Sequence, residues 1–179
     1  MTAHAPAWAP TEADGHDGAP GYPQLAAGTI GYLAGEWDVV REIADHRTGQ
    51  AGSFRGRASF RPRPEPAAAE PAGPGGAVLE FTEHGELKFG DHRGPASRSL
   101  RYVGRSDGSA AVCFADGRDF YQLDLRSGSC RAVHPCRADR YSVTVTWLSP
   151  DAFTEVWQVT GPAKDYDLTS VYTRTGCAS

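Results

Sequence analysis

Lysine is nearly missing from this chain: Lys88 and Lys164 stand beside sixteen arginines. Neither type gathers into a stripe, and 18 basic against 22 acidic side chains leave a formal net charge of -4. That balance offers no basic field for nucleic acid. No apolar run approaches the length of a membrane span, and the N-terminus lacks the charged and apolar regions of a signal peptide. Neither nucleic acid nor membrane is an expected partner, and the cytoplasm is the expected location. The four cysteines (Cys113, Cys130, Cys136, Cys177) form no CxxC pair and are too sparse for a disulfide scaffold, which agrees with a reducing compartment. No window carries a convincing helical period, which excludes an α-rich fold.

What the chain has instead is alternation with a period of two. After Gly35, the order Trp37, Val39, Arg41, Ile43 puts every second side chain on one face. Tyr166, Leu168, Ser170, Tyr172 and Arg174 do the same near the C-terminus, with Thr169, Val171 and Thr173 supplying β-branched residues on the other face. Between these ends, turn residues cut apolar segments apart. Phe54 to Phe60 reads as a strand, and so do Leu79 with Phe81 and Leu87 with Phe89, with a hairpin turn predicted at Thr82-Glu83-His84-Gly85-Glu86. A loop is expected at Asp91-His92-Arg93-Gly94-Pro95, and Asp107-Gly108, Asp116-Gly117, Ser127-Gly128, Ser149-Pro150-Asp151 and Gly161-Pro162 separate the later strands. About ten short strands with turns every ~8–12 residues spell an all-β fold. Nearly every connection is a short hairpin and the inward faces are not purely aliphatic. An up-and-down antiparallel barrel with a cavity for one small ligand is therefore expected over a sandwich.

Residues 1–29, rich in Ala, Pro and Gly without periodicity, read as a disordered N-terminal tail. Ile30 to Leu33 reads as one helical turn that plugs the bottom of the barrel, and residues 30–175 as a single domain. Prolines recur too often in residues 61–76 (RPRPEPAAAEPAGPGG) for a strand or helix, so this stretch is expected to be a loop insertion at the barrel mouth. Residues 176–179 form a C-terminal tail.

A Gly-x-Trp opening the first strand (Gly35-Glu36-Trp37) and an Arg late in the last (Arg174) resemble the signature of lipocalins and other calycin barrels. In those folds the arginine stacks on the tryptophan and seals one end. Following the face that carries Trp37 and Arg174, Arg41, Tyr102, Tyr141, Trp157, Tyr166 and Tyr172 are placed inside, with His134 and Glu155 as neighbours. Buried groups of this kind must bond to one another, to water or to a ligand; the plain alternative is that individual tyrosines cap the core and point their hydroxyls at solvent.

Three groupings carry possible chemistry. In Asp116-Gly117-Arg118-Asp119-Phe120 a turn presents Arg118, either as a solvated hairpin charge or as a contact for a carboxylate or phenolate. In His134-Pro135-Cys136-Arg137-Ala138-Asp139, His134 could act as general acid or base with Asp139 fixing its tautomer, or simply bond to the turn backbone. His134, Cys136 and Asp139 offer three metal-ligand types, but no second cluster supplies further ligands, so neither metal nor other cofactor is expected. In Gly161-Pro162-Ala163-Lys164-Asp165-Tyr166, Lys164 could be an amine catalyst or anion contact, or a turn lysine paired with Asp165.

These groupings, with Leu33-Ala34-Gly35-Glu36-Trp37, Arg41, Asp139-Arg140-Tyr141, Trp157 and Tyr172-Thr173-Arg174, resemble a family of bacterial and fungal lipocalin-like proteins. The resemblance spans about residues 30–175. It implies a calycin-type barrel and no settled activity, with some relatives in specialised-metabolite pathways; the family often has a histidine where this chain has Tyr121. The chain is less similar to the haem-binding nitrobindin barrels, whose longer glycine-rich motif is absent. Two functions follow as expectations. The first is a cofactor-independent cyclase or isomerase acting on a hydrophobic or aromatic metabolite, with His134, Asp139 and Lys164 as catalytic residues. Arg41, Tyr102, Arg118, Tyr141, Glu155, Trp157, Tyr166 and Tyr172 would bind the substrate. The second is a non-catalytic carrier of such a molecule. The expected partner is that small molecule, and a homodimer is left open.

Overall fold

Alternating burial along the chain produces one rolled sheet in a computed structural model that describes residues 28–63 and 76–176. A short helix, α1 (Gly28–Leu33), precedes ten strands: β1 (Gly35–Asp45), β2 (Ala51–Pro62), β3 (Val78–Phe89), β4 (His92–Gly104), β5 (Ala110–Phe114), β6 (Asp119–Leu123), β7 (Ser129–Cys136), β8 (Asp139–Ser149), β9 (Ala152–Gly161) and β10 (Lys164–Arg174). Each strand pairs antiparallel with its sequence neighbour except across β6 and β7, and β1 pairs with β10, giving the order β6-β5-β4-β3-β2-β1-β10-β9-β8-β7. This is the expected up-and-down antiparallel barrel of ten strands. Its seam lies between β6 and β7, where the Cys130 thiol comes within 3.6 Å of the Gln122 carbonyl. Among the described residues no helix is long and apolar enough to cross a membrane.

The first and last strands close the barrel in the way the Gly-x-Trp and Arg pattern implies. Trp37 lies opposite Arg174 in the β1–β10 ladder. It is fully buried, with the guanidinium 4.3 Å from its ring centroid. Helix α1 lies across this end. Trp37 Nε1 donates to the Leu33 carbonyl at 2.8 Å, Arg174 Nη1 donates to Ala34 O at 3.0 Å, and Arg174 Nη2 donates to Tyr32 O. Gly35 is required here: its φ is +128°, and a Cβ on it would lie 2.8 Å from Arg174 Nη1. The helix begins at Gly28, two residues before the helical turn expected from Ile30, and its Thr29 is fully buried.

Two expected breaks are continuous strand. The turn expected at 82–86 is the middle of β3, because Gly85 faces Gly56 across the β2–β3 ladder. A Cβ on Gly56 would lie 2.2 Å from His84 O, and one on Gly85 2.3 Å from Arg55 O, so this glycine pair lets two long strands approach under the Phe54 ring. The loop expected at 91–95 is likewise mostly β4, the turn being confined to Gly90 and Asp91.

The Pro-rich insertion leaves from the other end than expected. β1 runs away from α1 and β2 returns to it, continuing through Arg61 and Pro62. Arg63 and Ala77 therefore sit at the helix end, where Arg63 N donates to Val78 O and Gly104 N to Ala77 O, each at 2.8 Å. The expectations for residues 1–27, for 64–75 and for 177–179, with Cys177, lie outside the described residues.

Candidate functional site

Parity along five strands delivers a cluster of charged side chains to the barrel interior. Arg41 on β1, Glu83 on β3, Arg98 on β4, Glu155 on β9 and Tyr172 on β10 all point inward. Arg41 makes a bidentate pair with Glu83, Nη1 to Oε1 at 2.9 Å and Nη2 to Oε2 at 2.8 Å, and its Nε donates to Ser170 Oγ at 2.7 Å. Arg98 Nη2 donates to Glu155 Oε2 at 2.9 Å and to the Tyr172 hydroxyl at 2.8 Å, while its Nε lies 3.3 Å from Glu83 Oε1. The Tyr172 hydroxyl sits 3.1 Å from Glu83 Oε2 and 3.2 Å from Glu155 Oε2.

Buried ions of this kind persist only when geometry and hydrogen bonds offset their desolvation, and both carboxylates are at most 4 % exposed. Burial pushes the Glu155 carboxyl up, but the guanidiniums of Arg98 and Arg41 more than offset it, so its pKa ends below the ordinary carboxylate value. The Trp157 indole N–H adds to that pull although it falls outside hydrogen-bond geometry. Burial, and then the nearby Glu155, raise the Tyr172 hydroxyl well above its usual value, which keeps it a neutral donor. Tyr102 and Tyr121 are raised for the same first reason.

On the mouth side of this network lie two adjoining hollows that share Arg98 and Leu168. One, about 230 Å³, is walled by Ile43, Phe54, Leu87 and Ala96 over Arg41 and Glu83. The other, about 140 Å³, is walled by Phe120, Tyr141, Trp157, Val159 and Tyr166. Phe120 stacks on Trp157, with centroids 5.1 Å apart and planes 9° apart, and so presents a flat aromatic wall.

The residues read as inward from the sequence sort into groups. Arg41, Glu155 and Tyr172 form the network, and Tyr102 packs beside it in the core against Phe60 and Phe81. Tyr141, Trp157 and Tyr166 line the second hollow. His134 is half-buried opposite Tyr141, its ring 5.0 Å from Phe120 and 5.9 Å from Phe114.

The pairing of His134 with Asp139 is not formed. Asp139 turns instead to Lys164, Oδ2 to Nζ at 2.7 Å, and Lys164 donates to the Tyr141 hydroxyl at 2.6 Å. This also replaces the turn pairing of Lys164 with Asp165. The contact exists because residue 161 is glycine: a Cβ there would lie 2.0 Å from Asp139 Oδ1. Its hydrogen bond to Asp139, and then that to Tyr141, raise the Lys164 ammonium well above its ordinary pKa, so this amine is held protonated. Arg118 is an exposed hairpin charge at the rim, its Nε donating to Asp116 Oδ2 at 2.8 Å and its guanidinium 5.4 Å from the Phe114 ring. Among the described residues no group of three His, Cys, Asp or Glu side chains is placed to hold a metal ion.

Three residues of the site escape the sequence reading. Glu83 is hidden in a stretch that resembles a turn, and Phe120 is the extra residue at the register shift that breaks the parity between β5 and β6. Arg98 carries a usable signal, since it shares parity with the inward Leu100 and Tyr102.

The fold and the site together define a lipocalin-like, ten-stranded antiparallel barrel with a polar network beneath an aromatic mouth. The chain belongs to the Family of unknown function (DUF6314), whose model matches residues 33–174. No curated protein matches it. Among solved structures, it is similar to the S-type phycobiliprotein lyase CPES from Guillardia theta, at 12% identity and a TM-score of 0.58, covering 83% of this chain and 92% of that one. It also matches mFAP1, a redesigned β-barrel bound to DFHBI, at 18% identity and a TM-score of 0.40, covering 81% of this chain and 97% of that one. At these identities the likeness is one of fold.

Proposed function

We propose that the protein binds one hydrophobic or aromatic small molecule in the mouth half of the barrel. The observation that carries this is the pair of adjoining hollows, with a stacked Phe120–Trp157 wall above a buried, hydrogen-bonded ion network. A concave apolar lining with a few convergent polar groups is the general form of a small-molecule site. The Guillardia theta protein of similar fold is a phycobiliprotein lyase, and a barrel of this shape is compatible with a bound organic ligand.

The carrier reading is favoured over the catalytic one by what surrounds His134 and Lys164. With Asp139 committed to Lys164, His134 loses the carboxylate expected to orient it, and the protonated amine is no nucleophile. A cofactor-independent cyclase or isomerase retains one observation in its favour, the packing of His134 against Phe120 at the second hollow. Native mass spectrometry of the purified protein, before and after incubation with host metabolite extract, tests both. A molecule that is released unchanged on denaturation supports the carrier. A metabolite returned as an isomer or cyclised product, with turnover lost in His134→Ala, overturns it in favour of the enzyme.

A further inference from the structure

We infer that the ligand of the mouth cavity carries no net charge. The inference rests on the binding reading above and adds the chemical class. Among the described residues the charges that point into the barrel around the hollows are matched one to one. Arg41 is bidentate on Glu83, Arg98 is on Glu155, and Lys164 is on Asp139. The tyrosines of the network are neutral hydroxyls that donate to these carboxylates or stand beside them.

At the rim, several charges are spent locally. Arg118 is on Asp116, and Asp45 is spent on its own turn, accepting from the backbone N–H groups of Arg47 at 2.9 Å and Thr48 at 3.0 Å. Asp119, exposed at the end of β6, lies 3.6 Å from the Cys113 thiol. Within the hollows, among the described residues, an entering carboxylate, sulfonate or phosphate would thus meet no unpaired guanidinium or ammonium, and to gain one it would have to take Arg98 from Glu155 or Lys164 from Asp139. Either exchange leaves a carboxylate unpaired at the cavity wall, at a cost the ligand must then meet. An entering cation meets the mirror problem. A neutral planar molecule leaves all three pairs intact and gains the aromatic wall of Phe120 and Trp157.

Two probes with the same rings decide the matter: N-phenyl-1-naphthylamine, which is neutral, and 1-anilinonaphthalene-8-sulfonate, which differs by one sulfonate. Both are titrated against the full chain by fluorescence at pH 8. The expected result is a neutral probe bound at least ~10-fold more tightly than the sulfonate. A sulfonate bound equally or more tightly overturns the uncharged class while leaving the cavity reading in place. Failure of both probes overturns the cavity reading and the inference with it. Glu155→Gln, which releases Arg98, should shift the preference towards the sulfonate by about 10-fold. Asp139→Asn should do the same through Lys164 and sits where the side chain is part-exposed, so its fold is not at risk. An unchanged preference in both variants, with the native circular dichroism spectrum, overturns the inference.

Discussion

The two ends of this barrel use the same residue types for opposite purposes. At the closed end Arg174 spends its donors on main-chain carbonyls of Tyr32 and Ala34 and lays its guanidinium on Trp37. At the mouth Arg41 and Arg98 spend theirs on the carboxylates of Glu83 and Glu155. The closed end is packed ring against ring, with Trp37 edge-on to Phe153 at 4.9 Å. Phe153 in turn stacks on Tyr172 at 4.3 Å, and the hydroxyl of that tyrosine reaches into the ion network. Beyond the network Phe120 and Trp157 stack along one wall and the hollows lie beside them. A cap can be built on the backbone oxygens of one short segment, Tyr32 to Ala34; a cavity wall needs side chains that satisfy one another and leave a space.

If that contrast is right, the closed end is where stability is concentrated. Trp37→Ala should cost about 5 kcal/mol, the upper end for a buried aromatic, because it removes the ring and leaves Arg174 without a platform. Denaturant unfolding followed by circular dichroism measures this, and a loss near 1 kcal/mol would put the stabilising contacts elsewhere.

The network should behave differently. Glu83→Gln should cost about 3 kcal/mol, since it leaves Arg41 buried with a neutral partner. The double change Arg41→Met with Glu83→Leu should recover most of that, because both charges leave together and an apolar pair needs no compensation. If the double variant is as unstable as the single, the pair is holding strand geometry as well as balancing charge.

The same contrast explains what could be read from the sequence. Trp37, Arg174 and the inward row of β1 and β10 are visible because a period of two with β-branched residues opposite has few other meanings, and because both ends of the closing contact lie in such rows. The mouth is harder. Glu83 lies in a run with Gly85 and Glu86 that has the composition of a turn, and the glycine's true role depends on Gly56 in another strand. The bond between Lys164 and Asp139 depends on the register of β8, β9 and β10 together and on the missing Cβ of Gly161. Local pattern decides which face a side chain takes; three-strand register decides which partner it finds there.

The smallest expected effect separates the ends by pH. The closing contact at the other end, Arg174 on the backbone carbonyls of Tyr32 and Ala34, includes no histidine. On the outer face of the rim stands His46: its Nε2 lies 3.1 Å from Asp167 Oδ2, and the hydrogen bond to Asp167, with the further charges of Asp165 and Asp45, raises its pKa above the ordinary histidine value. A raised folded-state pKa means the pair contributes stability fully below the unfolded value of ~6.5 and loses it as pH rises through the folded value. Asp167→Asn should therefore lower the Tm at pH 5.5 and leave it unchanged at pH 8.5, and an NMR titration should show the His46 midpoint falling towards the ordinary value. Because this pair is solvent-exposed, the shift in Tm should be small and should fade in high salt. A Tm difference that persists at pH 8.5 would mean that Asp167 supports the β10 end of the mouth by some means other than its charge on His46.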